Sequence, residues 1–179
     1  MTISFVVPTL GRASLAATLR SIELRPGDEV LVVGAVDPTM FAAPYCGIAC
    51  ETGQDWGAIE RTRGMREATG DYLAFLDDDD TYAPGHRALM ASAIARTPGR
   101  PVLFRMTYPN SYVLWREPSL VCGNVSTQMI LIPNDQTKLG AWTGRREGDY
   151  DFLSSMQWPA SDIVWRPEIV AHLGHDDAC

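Results

Sequence analysis

The sequence predicts a single α/β domain, with a mostly parallel central sheet flanked by helices in its first half and a mixed second half. Three observations carry this expectation. Two short apolar runs, Ile3 to Val7 and Glu29 to Val33, bracket a segment with helical spacing. A third apolar run, Tyr72 to Leu76, ends in four consecutive aspartates, Asp77 to Asp80. Beyond residue 100 the apolar runs follow one another without clear helical crossovers.

Each element has its local reason. The first run stops at Pro8, and apolar runs this short read as buried strands. Leu15, Leu19 and Ile22 recur at helical spacing after Arg12. Pro26-Gly27-Asp28 is a turn, and the second strand closes at Gly34. Strand, helix and strand at this spacing form a βαβ unit, which requires parallel pairing. Residues 37–54 are irregular, with one short strand expected near Gly47 to Glu51. A helix over Ala58 to Ala68 is expected to end with Gly70 as its cap. Pro84-Gly85 opens a helix reaching about Ala95. Strands are then expected at Val102 to Met106, Tyr112 to Trp115 and Thr127 to Ile132. A short helix over Asp149 to Met156 and two late strands, Ile163 to Trp165 and Ile169 to His172, complete the chain.

Composition bounds the function. The chain has 179 residues, 46% of them hydrophobic, enough for one domain with a core of its own. Its net charge of −7 excludes the basic stripe of a nucleic-acid surface. An anionic ligand then needs a cation or a few placed arginines. Lys138 is the one lysine, so any mechanism built on a lysine has a single candidate. No signal peptide or apolar run long enough to span a bilayer is read from the sequence, which makes a cytoplasmic location the expectation. The four cysteines, Cys46, Cys50, Cys122 and Cys179, do not make a zinc knuckle and read as free thiols, with a Cys46–Cys50 disulfide as the alternative.

The acidic run is the most informative feature. Ligands of open α/β sheets bind beyond the carboxyl ends of the strands, where this run lies. Adjacent carboxylates repel unless a cation neutralises them, and oxygen-rich sites suit Mg²⁺ or Mn²⁺. In extended chain, Asp77 and Asp79 would face one side and Asp78 the other. A calcium loop fails, because counting from Asp77 puts Tyr82 and Ala88 where glycine and glutamate are needed.

Two stretches resemble family 2 glycosyltransferases. The first is Ile3 to Thr9 followed by Arg12. The second is Arg61-Thr62-Arg63-Gly64 leading into Ala68-Thr69-Gly70-Asp71-Tyr72 and on to Asp80. The resemblance implies a GT-A-like, nucleotide-diphospho-sugar transferase fold over residues 1–179, with a nucleotide-binding half (1–95) and an acceptor-side half (96–179). It implies a metal-dependent, inverting transfer from a nucleotide-sugar, with UDP favoured, to an acceptor hydroxyl. In it, Pro8, Thr9 and Arg12 line the nucleoside pocket and Arg61 faces the nucleotide. Asp77, Asp78 and Asp79 form the DxD motif, and Asp79 binds Mn²⁺ or Mg²⁺. The family's second strand ends in an acidic pair that reads the base; Gly34-Ala35 stands there instead, with Asp37 just beyond. Gly148-Asp149-Tyr150-Asp151-Phe152 resembles the acceptor-side motif, which makes Asp149 the base candidate and Asp151 the second choice. A histidine after the last strand, His175, would complete the metal site. Trp142 and Trp158 are aromatic faces for a sugar or for the core.

Two other readings remain at this stage. Asp77 and Asp79 also fit the first motif of haloacid-dehalogenase-like phosphatases, with Thr107, Lys138 and Asp176-Asp177 as its remaining parts. The missing acidic pair at Gly34 also suits a nucleotide-binding module without catalysis.

Overall fold

A computed structural model describes residues 1–174. The first half is built on β1 (Ile3–Thr9), α1 (Leu15–Ser21), β2 (Glu29–Gly34), β3 (Tyr45–Ala49), α2 (Ala58–Glu67) and β4 (Tyr72–Phe75). Strands β3, β2, β1 and β4 lie side by side in that order and pair in parallel. The second half adds β5 (Thr81–Tyr82), α3 (His86–Arg96), β6 (Val102–Thr107), β7 (Val113–Leu114), β8 (Ile130–Pro133), α4 (Gly148–Ser155) and β9 (Val164–His172). There β8 runs antiparallel to both β4 and β6, and β9 pairs in parallel with β6. All the strands join in one sheet.

Alternation along the strands explains why these runs are apolar throughout. Ile3, Phe5 and Val7 pack with Val30 and Val32 on the face covered by α1 and α3. Val6, Leu31, Val33, Leu73 and Phe75 pack with Met65 of α2 and Phe152 and Leu153 of α4 on the other. A sheet buried on both faces leaves few polar positions in its strands, and those it has, such as Ser4, are hydrogen-bonded. Gly64 sets the approach of α2: a Cβ there would come within 2.4 Å of Val6 Cγ1. Behind the sheet, Asp28 accepts bonds from Ile3 N, Arg25 N and the Arg87 guanidinium. Burial works to raise the Asp28 carboxyl, and these donors outweigh it and hold it low.

Several expectations are corrected. The short strand after residue 37 is Tyr45–Ala49, and a 3-10 turn over Thr127–Met129 precedes β8. Gly70 does not cap α2; Ala68 ends it in extended conformation, and Gly70 N instead donates to Ser4 Oγ. The two late strands are arms of one strand. Val164 and Trp165 pair with Val102 and Leu103, and Ile169 then pairs with Arg105, so the register shifts across the segment that holds Pro167. Proline has no N–H to donate, so pairing breaks there while the strand continues.

Candidate active site

The carboxyl ends of β1 and β4 open into a cavity of about 880 Å³. Its walls hold Pro8, Thr9 and Arg12 from β1 and its loop, Glu60 and Arg61 from α2, and Asp77 to Asp80 after β4. Tyr108, Gln128, Trp142, Asp149 and Tyr150 close the other side. Every expected nucleotide-side residue and Asp149 therefore meet in one place.

The acidic run is a turn and not extended chain: Asp78 and Asp79 occupy it, and Asp80 N donates to Asp77 O at 3.1 Å. Asp77 and Asp79 consequently take different partners, although both line the cavity. Asp77 pairs with Arg61 and accepts from Gln128 Nε2 at 3.2 Å. Asp79 pairs with Arg12, which also holds Asp78 Oδ1 at 3.1 Å. The second Asp78 oxygen accepts from Thr9 Oγ1 at 2.6 Å and Leu10 N at 3.1 Å, so Asp78 fastens the β1 loop to the turn.

Asp80, the last of the four aspartates, is fully buried. It accepts from Gly174 N at 2.9 Å and from Gln128 Nε2. Burial, with Asp77 and then Asp79 nearby, pushes its carboxyl up to about 8. A Cβ on Gly174 would lie 1.7 Å from Asp79 O, so glycine alone lets β9's exit pass this close beneath the turn. His175, Asp176 and Asp177 fall outside the described residues. Among the described residues, no group of three or more His, Cys, Asp or Glu side chains could hold a metal.

Asp149 lies in the first turn of α4 without capping it; Glu147 is the N-cap residue. Asp149 Oδ1 accepts from Thr127 Oγ1 instead. Burial raises its carboxyl above the ordinary range, Asp77 adds to this, and Arg61 and Thr127 oppose it. Arg61 is buried and charged: burial works against its proton, and Asp77 and then Asp149 outweigh that. Asp151 faces elsewhere. Bonds from Arg145 and then Thr143 hold its carboxyl down at about 2.

Trp142 stacks on Phe152 with centroids 4.2 Å apart, and Arg61 lies 5.0 Å over its ring. It is a wall that positions Arg61. Trp158 is buried outside the cavity, with the Lys138 ammonium 5.5 Å from its ring. Lys138 pairs with Asp135 at 3.4 Å, and Thr107 bonds His172 Nδ1 at 2.6 Å. Neither reaches the acidic turn, which removes the arrangement a phosphatase would need. Glu60, Asp80, Thr127 and Gln128 line the site as well, and of these only Asp80 carries a signal in the sequence, as the last of four aspartates after an apolar strand.

Comparison with known proteins adds the following. Residues 43–150 match the family model for glycosyl transferase family 2. No curated protein matches the chain. Among solved structures, S. aureus TarS superposes with a TM-score of 0.75 at 16% identity, covering 98% of this chain and 37% of that one. TarS 1-349 in complex with UDP-GlcNAc gives 0.73 at 16% identity, over 100% of this chain and 60% of the other. Its complex with UDP gives 0.69 at 18%, over 96% and 60%. The chain thus spans less than two thirds of the structures it matches, and the shared feature is the GT-A-like fold. No helix among the described residues is long and apolar enough to cross a membrane.

Proposed function

Because this chain belongs to glycosyl transferase family 2, we propose that its cavity transfers a sugar from a nucleotide-sugar, a UDP-sugar first, to an acceptor hydroxyl with inversion. The observation that carries this is Arg61, which pairs with the nucleotide-side Asp77 in the same cavity that the acceptor-side Asp149 lines. The two halves divide the work: residues 1–95 hold the nucleotide and residues 96–179 present the acceptor, within one domain. The work is assigned to the cytoplasm.

Pro8, Thr9 and Arg12 line the nucleoside and diphosphate end, Arg61 and Asp77 orient the nucleotide, and Asp78 keeps the loop in place. The carboxylate oxygens of the turn have the hard-donor chemistry of a Mn²⁺ or Mg²⁺ site, which commonly takes one or two carboxylates and completes its shell with substrate phosphates. Asp79 would be the ligand from the turn and His175 the second. When bound, the cation supplies Lewis-acid stabilisation of the departing diphosphate. Arg12, beside Asp78 and Asp79, would add its guanidinium to the phosphate oxygens. Asp149 removes the acceptor proton, and its raised proton affinity suits that task.

Calorimetric titration with UDP in Mn²⁺ and in EDTA tests the reading. Binding should need the cation, and Asp79→Ala should abolish it while the apo fold survives. Equal affinity in EDTA removes the metal role. Slow cleavage of a UDP-sugar with no turnover of small phosphate esters is the expected activity.

A further inference from the structure

Glu60 is the buried ionisable group that the proposed chemistry leaves unused. It stands in the first turn of α2, 1% exposed, and its Oε2 has no hydrogen-bond partner. Burial raises its carboxyl, the Asp55 charge adds to this, and Arg61 opposes it. The residue's own backbone N–H favours the ionised carboxyl, but a buried carboxylate oxygen without a donor is costly, and Oε2 has none.

Its place says what the donor is. Glu60 shares the cavity wall with Pro8, Gln54, Trp56 and Gly57. The next residue, Arg61, is paired with Asp77 and carries the influence of Asp149, whereas the charges that act on Glu60 are those of Asp55 and Arg61. The Arg61 guanidinium donates to both Trp56 O and Asp77, so it spans from the Trp56–Gly57 stretch beside Glu60 to the acidic turn. A nucleotide-sugar with its diphosphate at the acidic turn and its sugar near Asp149 has its nucleoside at the opposite end. The other carboxylates of that side are occupied or turned away. Asp37 accepts from Thr39 N and Thr39 Oγ1 and does not line the cavity. Asp55 Oδ2 accepts from Ile59 N, and Asp55 lines a separate cavity of about 670 Å³ on the outer side of α2.

We infer that Glu60 reads the donor's base, and that it selects bases with a ring N–H, uracil or guanine, against cytosine and adenine. An ionised carboxylate only accepts hydrogen bonds. Uracil N3–H and guanine N1–H supply the missing donor; cytosine and adenine can offer only their exocyclic amino N–H, with the N3 or N1 lone pair set beside it against the carboxylate. The inference rests on the reading of the cavity as a nucleotide-sugar site.

Calorimetry with UDP, GDP, CDP and ADP in Mn²⁺, on the wild-type chain and on Glu60→Gln, tests it near neutral pH. The wild type should bind UDP and GDP about tenfold or more tighter than CDP and ADP, and Glu60→Gln should narrow that gap by about the same factor. Equal binding of all four, or a preference for CDP or ADP, overturns the base reading and leaves the nucleotide site standing. A uniform loss across all four in Glu60→Gln also overturns it, since a ribose contact or a fold defect would act so. Wild-type ranking decides alone if the variant does not fold. Binding of none of the four removes the nucleotide-sugar reading and this inference with it.

Discussion

The inner and outer sides of helix α4 present two aspartates, two positions apart, with opposite chemistry. Asp149 turns inward to Thr127 and the cavity, and burial raises its carboxyl. Asp151 turns outward to Arg145 and Thr143, which hold its carboxyl at about 2. The difference teaches that a carboxylate's role is set by what surrounds it. Water and a guanidinium make Asp151 a permanent anion; a dry wall makes Asp149 a group that can take a proton.

The largest test of that contrast is Asp149→Asn. Turnover should fall by on the order of 10²–10⁴-fold while the donor's dissociation constant stays nearly unchanged, because a base touches the acceptor proton and not the diphosphate. A loss appearing in donor affinity would make Asp149 a nucleotide contact instead. Thr127→Val comes next. It removes the hydroxyl that favours the ionised form, so the limb of the pH–rate profile belonging to Asp149 should move to higher pH. Turnover near neutral pH should fall by up to about tenfold, and a limb that stays put would separate Thr127 from the base.

Stability gives a third, smaller effect, with opposite sign on the two sides. Asp149's folded-state carboxyl lies above its unfolded value, so its contribution is present below the unfolded value and is lost as pH rises through the folded one. Asp149→Asn should therefore raise Tm slightly at neutral pH and not in acid. Asp151 lies below its unfolded value, so its contribution is present above that value and is lost as pH falls through about 2. Asp151→Asn should lower Tm at neutral pH, and the difference from wild type should vanish near pH 2. Thermal melts across pH check both, and equal signs would void the contrast. The smallest expected effect is that of Asp151→Asn on turnover, which should stay close to wild type.

The sequence shows much of the nucleotide side and less of the acceptor side, for a physical reason. Val6, Val33 and Phe75 are buried by a parallel sheet covered on both faces, so their strands read as unbroken apolar runs. The acidic residues then fall at a strand end by simple adjacency. Asp149 is reachable because a motif carries it. Thr127, Gln128 and Glu60 are different. Each is an ordinary polar residue that nothing in the sequence marks: Thr127 and Gln128 depend on contacts with residues far along the chain, as Gln128 does with Asp80, and Glu60 on where the folded α2 places it in the cavity wall. Extended geometry also misled at Asp78 and Asp79, where the Arg12 guanidinium and Thr9 hold a turn that spacing alone does not reveal. Pro167 misled in the other way, since a break in pairing read as a break between strands.

Lys138, set over the Trp158 ring and clear of the cavity, gives the chain a chemical handle. It is the one lysine, and its side chain is 47% exposed. An amine-reactive fluorophore placed on it would mark every molecule at the same side-chain position. The indole beneath would quench or shift the dye according to how α4's far end is packed. Ligand binding at one end of that helix could then be followed optically at the other, with no label inside the cavity to disturb it.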